Sequence, residues 1–92
     1  MRFAWTAAKN ALNVANHKIE FADAVLVFDG PVIVRRSDQH GEERYIAVGR
    51  LPEQLGRRIV AIIYHDRDGV RRIISARGSR KNEKRDFTKA YG

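Results

Sequence analysis

Cysteine is absent from the 92 residues, proline occurs twice and tryptophan once. Without cysteine there is neither a disulfide framework nor a thiolate zinc site, so a chain this short has to draw its stability from one compact core. No apolar run approaches the ~18 residues of a membrane span. The opening Met1–Trp5 lacks the apolar stretch of a secretory signal and the clustered cations of a transit sequence. These absences predict one soluble domain over residues 1–92, at work in the cytoplasm and away from membranes. Acidic charge is also scarce, with 11 Asp and Glu against 18 Lys and Arg, for a net charge of +7.

That surplus is unevenly spread. Residues 1–46 hold six basic and six acidic side chains and sum to zero, so residues 47–92 carry the whole +7 from twelve basic and five acidic groups. A one-sided basic surface is the electrostatic footprint of a phosphate-backbone binder or of a partner for an acidic protein.

Thr6 is placed to cap a helix whose apolar stripe is Ala8, Ala11, Leu12 and Ala15, fraying near Asn16–Lys18. Phe21, Ala24, Val25 and Phe28 repeat the helical spacing before Asp29-Gly30-Pro31 ends the segment. Both stripes are expected in the core. Strands are predicted over Val32–Val34, Arg44–Arg50, Arg58–His65 and Val70–Arg77, with a polar loop over Ser37–Gly41 and a turn over Leu51–Gly56. The unbroken run Ile59–Tyr64 marks a central strand covered on both faces. Asp66-Arg67-Asp68-Gly69 is a hairpin signal, because Asp-Gly tolerates the positive φ angles of a type I′ turn. Ser79 is placed to cap a basic C-terminal helix docked by Phe87, Ala90 and Tyr91. The expected fold is thus α+β: two N-terminal helices packed on a four-stranded, mainly antiparallel sheet, with a C-terminal basic helix.

Nucleotide-cradling glycine loops and His-x-x-x-His or Cys-x-x-Cys pairs are missing, and His17, His40 and His65 have no metal-ligand spacing. Chemistry without a metal or other cofactor is therefore expected. The segment Asp38–Tyr45 gathers an imidazole, carboxylates and a guanidinium within a few residues. Such groups move protons and stabilise developing negative charge. In the hairpin, a loop of two or four residues puts Tyr64 on one face with Arg71, Ile73, Ser75 and Arg77, and His65 on the other with Arg72; a three-residue loop with a bulge reverses this. A tyrosine beside arginines is suited to stacking a base and gripping phosphates, although a core-edge tyrosine with solvated arginines fits the pattern equally.

Phe3–Asn10, Asn16–Ala24 and Val27–Asp29, followed by Gly41–Gly49 and Val70–Arg77, resemble the BrnT toxins of bacterial type II toxin–antitoxin systems, in order and over nearly the whole chain. Glu42-Glu43-Arg44 and Ile73–Arg77 are the most specific parts of the likeness. The resemblance implies a RelE-like ribonuclease that cleaves RNA without metal and arrests translation. It also implies a BrnA-type antitoxin, which neutralises the toxin in a hetero-oligomer built around an antitoxin dimer and contacts operator DNA itself. Carried over residue by residue, His40, Glu43, Arg44 and Arg77 match the family's charged segment and closing strand. With Glu43 or His40 as base, Arg44 and Arg77 neutralising the phosphorane and Tyr64 orienting the nucleotide, these five are the candidate catalytic residues. Arg50, Arg71, Arg72, Arg80 and Lys81 are the candidate RNA contacts. His65 stands where the family commonly has a small hydroxyl residue, and is either an added proton-transfer group or incidental. The rival reading is a non-catalytic basic RNA-binding or ribosome-associated module.

Overall fold

A computed structural model describes residues 1–92. Its centre is a five-stranded mixed sheet in the order β1-β5-β4-β3-β2: β1 Arg2–Ala4, β2 Val32–Arg36, β3 Tyr45–Arg50, β4 Ile59–Arg67 and β5 Val70–Gly78. Four of these strands follow the sequence expectation; β1 does not. It is three residues long, too short to show a period, and it runs parallel to β5 with Phe3 opposite Arg71. The sheet is therefore five-stranded and mixed rather than four-stranded and mainly antiparallel. The hairpin joining β4 to β5 turns on Asp68 and Gly69, at φ 53° and 76°, so Arg67 pairs with Val70 across a two-residue loop.

Helices cover both faces. On one face lie α1 (Ala7–His17) and α2 (Phe21–Ala24), the latter tightening into a 3-10 turn over Val25–Asp29. The tighter winding brings Val27 inward after Phe21 and Ala24, while Val25 and Phe28 pack at the core's margin. These residues close on Ala47, Val60, Ile62, Tyr64, Ile73 and Ala76. Gly49 lies beneath the 3-10 turn, where a Cβ would meet the Val27 side chain at 2.8 Å. On the opposite face α3 (Lys81–Tyr91) seats Phe87 on Val48, Ile59 and Ala61. Ser79 does not cap α3: its amide extends the sheet by donating to Ile59 O, and Arg80 takes the cap position, its amide held by Glu83 Oε1 at 2.7 Å.

The stripe expected to bury α1 faces solvent instead. Ala8, Ala11 and Ala15 are exposed and Leu12 is 63% exposed, whereas Asn13 is buried. The reason lies in β1, which pairs with β5 only as far as Arg72 and leaves the backbone of Ala76 open at the edge. Asn13 fills that place: its Nδ2 donates to Ala76 O and Ile19 O, each at 2.9 Å, and its Oδ1 accepts from the Ala76 amide at 3.0 Å. One turn earlier, Asn10 Oδ1 accepts from the Phe21 amide at 2.8 Å. Satisfying three backbone groups outweighs burying three alanine methyls and the Leu12 side chain, since each orphaned buried group costs on the order of 1–3 kcal/mol. Asn13→Ala is therefore expected to destabilise the fold by about 2 kcal/mol, read as a lower urea midpoint with an unchanged slope.

Candidate active site

The charged segment expected to be catalytic folds as a miniature hairpin. Gln39 and Glu42 exchange backbone hydrogen bonds of 3.1 and 2.9 Å around His40 (φ 53°) and Gly41 (φ 74°). His40 thus sits exposed at the tip. Glu43 also faces solvent, its carboxylate 3.5 Å from the Arg36 guanidinium. Arg36 in turn grips Asp38 with two nitrogens at 3.0 and 2.7 Å, and that grip holds the Asp38 carboxyl below its ordinary range. Glu42 and Arg44 turn the other way and pair through Arg44 Nε at 3.0 Å.

Glu42 and Arg44 meet a group that no contiguous stretch of sequence displays. A small cleft of about 160 Å³ at this end of the sheet is lined by Trp5, Thr6 and Lys9 from the start of α1, by Glu42 and Arg44, and by His65, Arg72, Ile73 and Ile74 from the hairpin. It continues into a shallower depression that again includes Glu42, His65 and Arg72. The hydrogen bond from Arg44, with the positive charges of His65, Arg44 and Lys9, keeps the Glu42 carboxyl below its ordinary range despite some desolvation. His65 and Arg72 are direct cross-strand partners and share a face, as the hairpin parity predicts. Arg72 is exposed and forms no ion pair. No three His, Asp or Glu side chains converge on a metal-sized position. What the cleft holds is one ionised carboxylate, one imidazole and three cationic side chains.

The remaining candidates lie elsewhere. Tyr64 is only 3% exposed, its ring stacked on Tyr45 and edge-on to Phe28, so it has no free face for a nucleotide, and burial pushes its phenol pKa up. Arg71 lies 4.3 Å over the Tyr64 ring and 4.7 Å over Phe28 while both its fork nitrogens engage Asp66. It pins the aromatic cluster rather than facing solvent. Arg77 and Ser75 do not share the Tyr64 face. The ladder slips between Ile63 and Tyr64, with Tyr64 opposite Ile73 but Ile63 opposite Ser75, so Ile74 is an extra residue that inverts the alternation beyond it. Arg77 consequently points to the α3 side and binds Glu83 through two bonds of 2.8 and 3.1 Å. Arg50 lies over the Phe87 ring and donates to Gly92 O, while Arg80 and Lys81 stay exposed at the start of α3.

The cleft thus joins Arg44 and Arg72, both expected at the site from the sequence, to His65, whose role the sequence leaves open, and to Glu42 and Lys9, for which it predicts none. Odd positions of β4 share the Glu42 side of the sheet, which is the one signal that would have joined His65 to the charged segment. No curated protein gives a significant match to the chain. A family model described as the ribonuclease toxin BrnT of type II toxin–antitoxin systems matches residues 5–83, spanning every cleft residue. The chain belongs to the BrnT family of ribonuclease toxins, which work in pairs with an antitoxin.

Proposed function

We propose that this toxin cleaves RNA without a metal ion at the Glu42–His65–Arg72 cleft, by attack of a 2′-hydroxyl on the adjacent phosphate. The observation that carries the reading is the convergence of an imidazole, an ionised carboxylate and Lys9, Arg44 and Arg72 from four separate parts of the chain. The proton on the 2′-oxygen leaves to a base as that oxygen bonds to phosphorus. The bond from phosphorus to the 5′-oxygen then breaks and the departing oxygen takes up a proton, giving a 2′,3′-cyclic phosphate and a free 5′-hydroxyl. An imidazole both accepts and donates protons near neutral pH, which suits His65 to these transfers. Glu42, held ionised by the Arg44 hydrogen bond, lines the cleft with it. Arg72, Arg44 and Lys9 supply positive charge to the phosphorane, where preorganised cations contribute most. His65 and Glu42 here take the roles that the sequence assigned to His40 and Glu43, Arg44 keeps its own, and Arg77 becomes a positioning residue.

The neutralising partner is proposed to be a BrnA-type antitoxin acting in the cytoplasm, drawn to the basic half of the toxin. Purified toxin freed of antitoxin is expected to cleave RNA at the same rate with and without excess EDTA and to leave cyclic phosphate ends. Cleavage that vanishes on chelation and returns with a divalent ion would overturn the mechanism.

A further inference from the structure

A second cleft, of about 650 Å³, opens at the other end of the sheet, where β3, β4 and β5 meet α3. Arg50, Arg57, Arg58 and Lys84 line it, with Ser79 and Thr88, and no carboxylate does. Arg57, Arg58 and Lys84 have no acidic side chain within 4.0 Å and Arg50 engages only Gly92 O, although the same molecule pairs Arg35, Arg36, Arg44, Arg71 and Arg77 with acids. Like charges left together without counter-charge repel, and a site that tolerates this repulsion is one that a polyanion completes. The cleft is also built around one of them: the Arg58 guanidinium lies over Gly78, where a Cβ would come within 2.6 Å of Nη2. Arg57, next to it, is held at φ 56°, in the left-handed region just before β4 begins.

We infer that this cleft is a second RNA-backbone site, binding phosphates of the substrate several nucleotides away from the scissile bond. The inference rests on the RNA-cleaving reading of the Glu42–His65–Arg72 cleft. β4 joins the two sites, beginning at Ile59 in the basic cleft and reaching His65 in the other, six residues on. At ~3.3 Å per residue they are about 20 Å apart along the strand, which an extended single strand crosses in a few nucleotides. Guanidinium groups suit the role because they grip phosphate oxygens two at a time and read no base. The toxin is thereby expected to prefer long single-stranded RNA to short fragments, whatever the sequence.

Binding of fully 2′-O-methylated oligonucleotides tests this apart from catalysis, since such probes lack the attacking hydroxyl. A decamer is expected to bind the whole protein at least tenfold tighter than a trimer. Two phosphate contacts at a salt slope of about −0.7 each weaken the decamer about sevenfold more than the trimer between 50 and 200 mM salt. In the Arg57→Ala/Arg58→Ala variant the decamer-to-trimer ratio should collapse toward one and the extra salt dependence should disappear. Gly78→Ala, which displaces Arg58 but keeps its charge, should lower the ratio in part. Arg2→Ala/Lys18→Gln carries the same net charge as the double arginine variant and should keep the full ratio. Equal ratios in the two double variants would overturn the proposal, as would a variant that retains length dependence but loses its antitoxin, which would give the cleft to a carboxylate-rich segment of that partner. A toxin that cleaves no RNA yet shows the length effect would sink the catalytic reading and leave the site standing.

Discussion

Arg72→Ala is expected to reduce single-turnover RNA cleavage by on the order of 10²–10³ while leaving the melting temperature unchanged. Removing one preorganised donor from a developing oxyanion costs roughly that much. Arg72 is an unusually clean place to remove one: it is exposed, joins no ion pair, and its loss orphans no buried group, so stability should move by less than about 0.5 kcal/mol. Its neighbours give the contrast. His40→Ala and Glu43→Gln alter a turn tip and an exposed carboxylate outside the cleft lining, and each is expected to leave the rate within a few-fold of wild type. His65→Ala should resemble Arg72→Ala, because it removes the group assigned to proton transfer. A loss below tenfold for Arg72→Ala, or a larger loss for His40→Ala, would move the chemistry from the cleft to the tip of the small hairpin.

The contrast between neighbouring residues shows where sequence periodicity is informative and where it stops. In the β4–β5 hairpin the Asp-Gly turn fixes the register, and the pairing of His65 with Arg72 follows from counting. Counting fails at Ile74, because a bulge is one extra residue that apolar alternation hardly registers: Ile73 and Ile74 are both apolar whichever way they point. That single residue sends Arg77 to α3 and away from Tyr64. In α1 the helix is legible but its orientation is not, since Asn13 serves the Ala76 backbone that β1 leaves open by ending early, and Asn10 serves the Phe21 amide at the start of α2. That Glu42 rather than Glu43 lines the cleft is illegible in the sequence for the same kind of reason. Adjacent residues in an extended segment point to opposite sides, and which side holds the cleft depends on α1 approaching from the other end of the chain. The charge split, by contrast, needed no fold, and it foreshadowed the basic cleft in residues 50–88.

Glu83→Gln is expected to destabilise the folded toxin by about 2–3 kcal/mol, because removing one member of a buried, hydrogen-bonded ion pair strands the other. Glu83 is 7% exposed and the Arg77 side chain 17%; two fork bonds join them, and the same carboxylate holds the amide that starts α3. Arg77→Ala should cost a similar amount, and Arg80→Ala, at an exposed position, little. Arg77→Lys should restore the charge but not the fork, and so only part of the stability. The pH dependence has a definite sign. The Arg77 hydrogen bonds lower the Glu83 pKa in the folded state, so the stabilisation is fully present above the unfolded value of about 4.3 and is lost as pH falls through the lower folded value. Asp38, Glu42 and Asp86 are lowered too and contribute their own acid-side loss. The diagnostic quantity is therefore the difference between wild type and Glu83→Gln, which should be largest near neutral pH and narrow below about pH 4. Urea unfolding of both proteins across that range measures it. A gap that stays constant with pH would mean that the glutamine loses packing rather than charge, and Arg77 would then be free to serve RNA instead of holding α3 to the sheet.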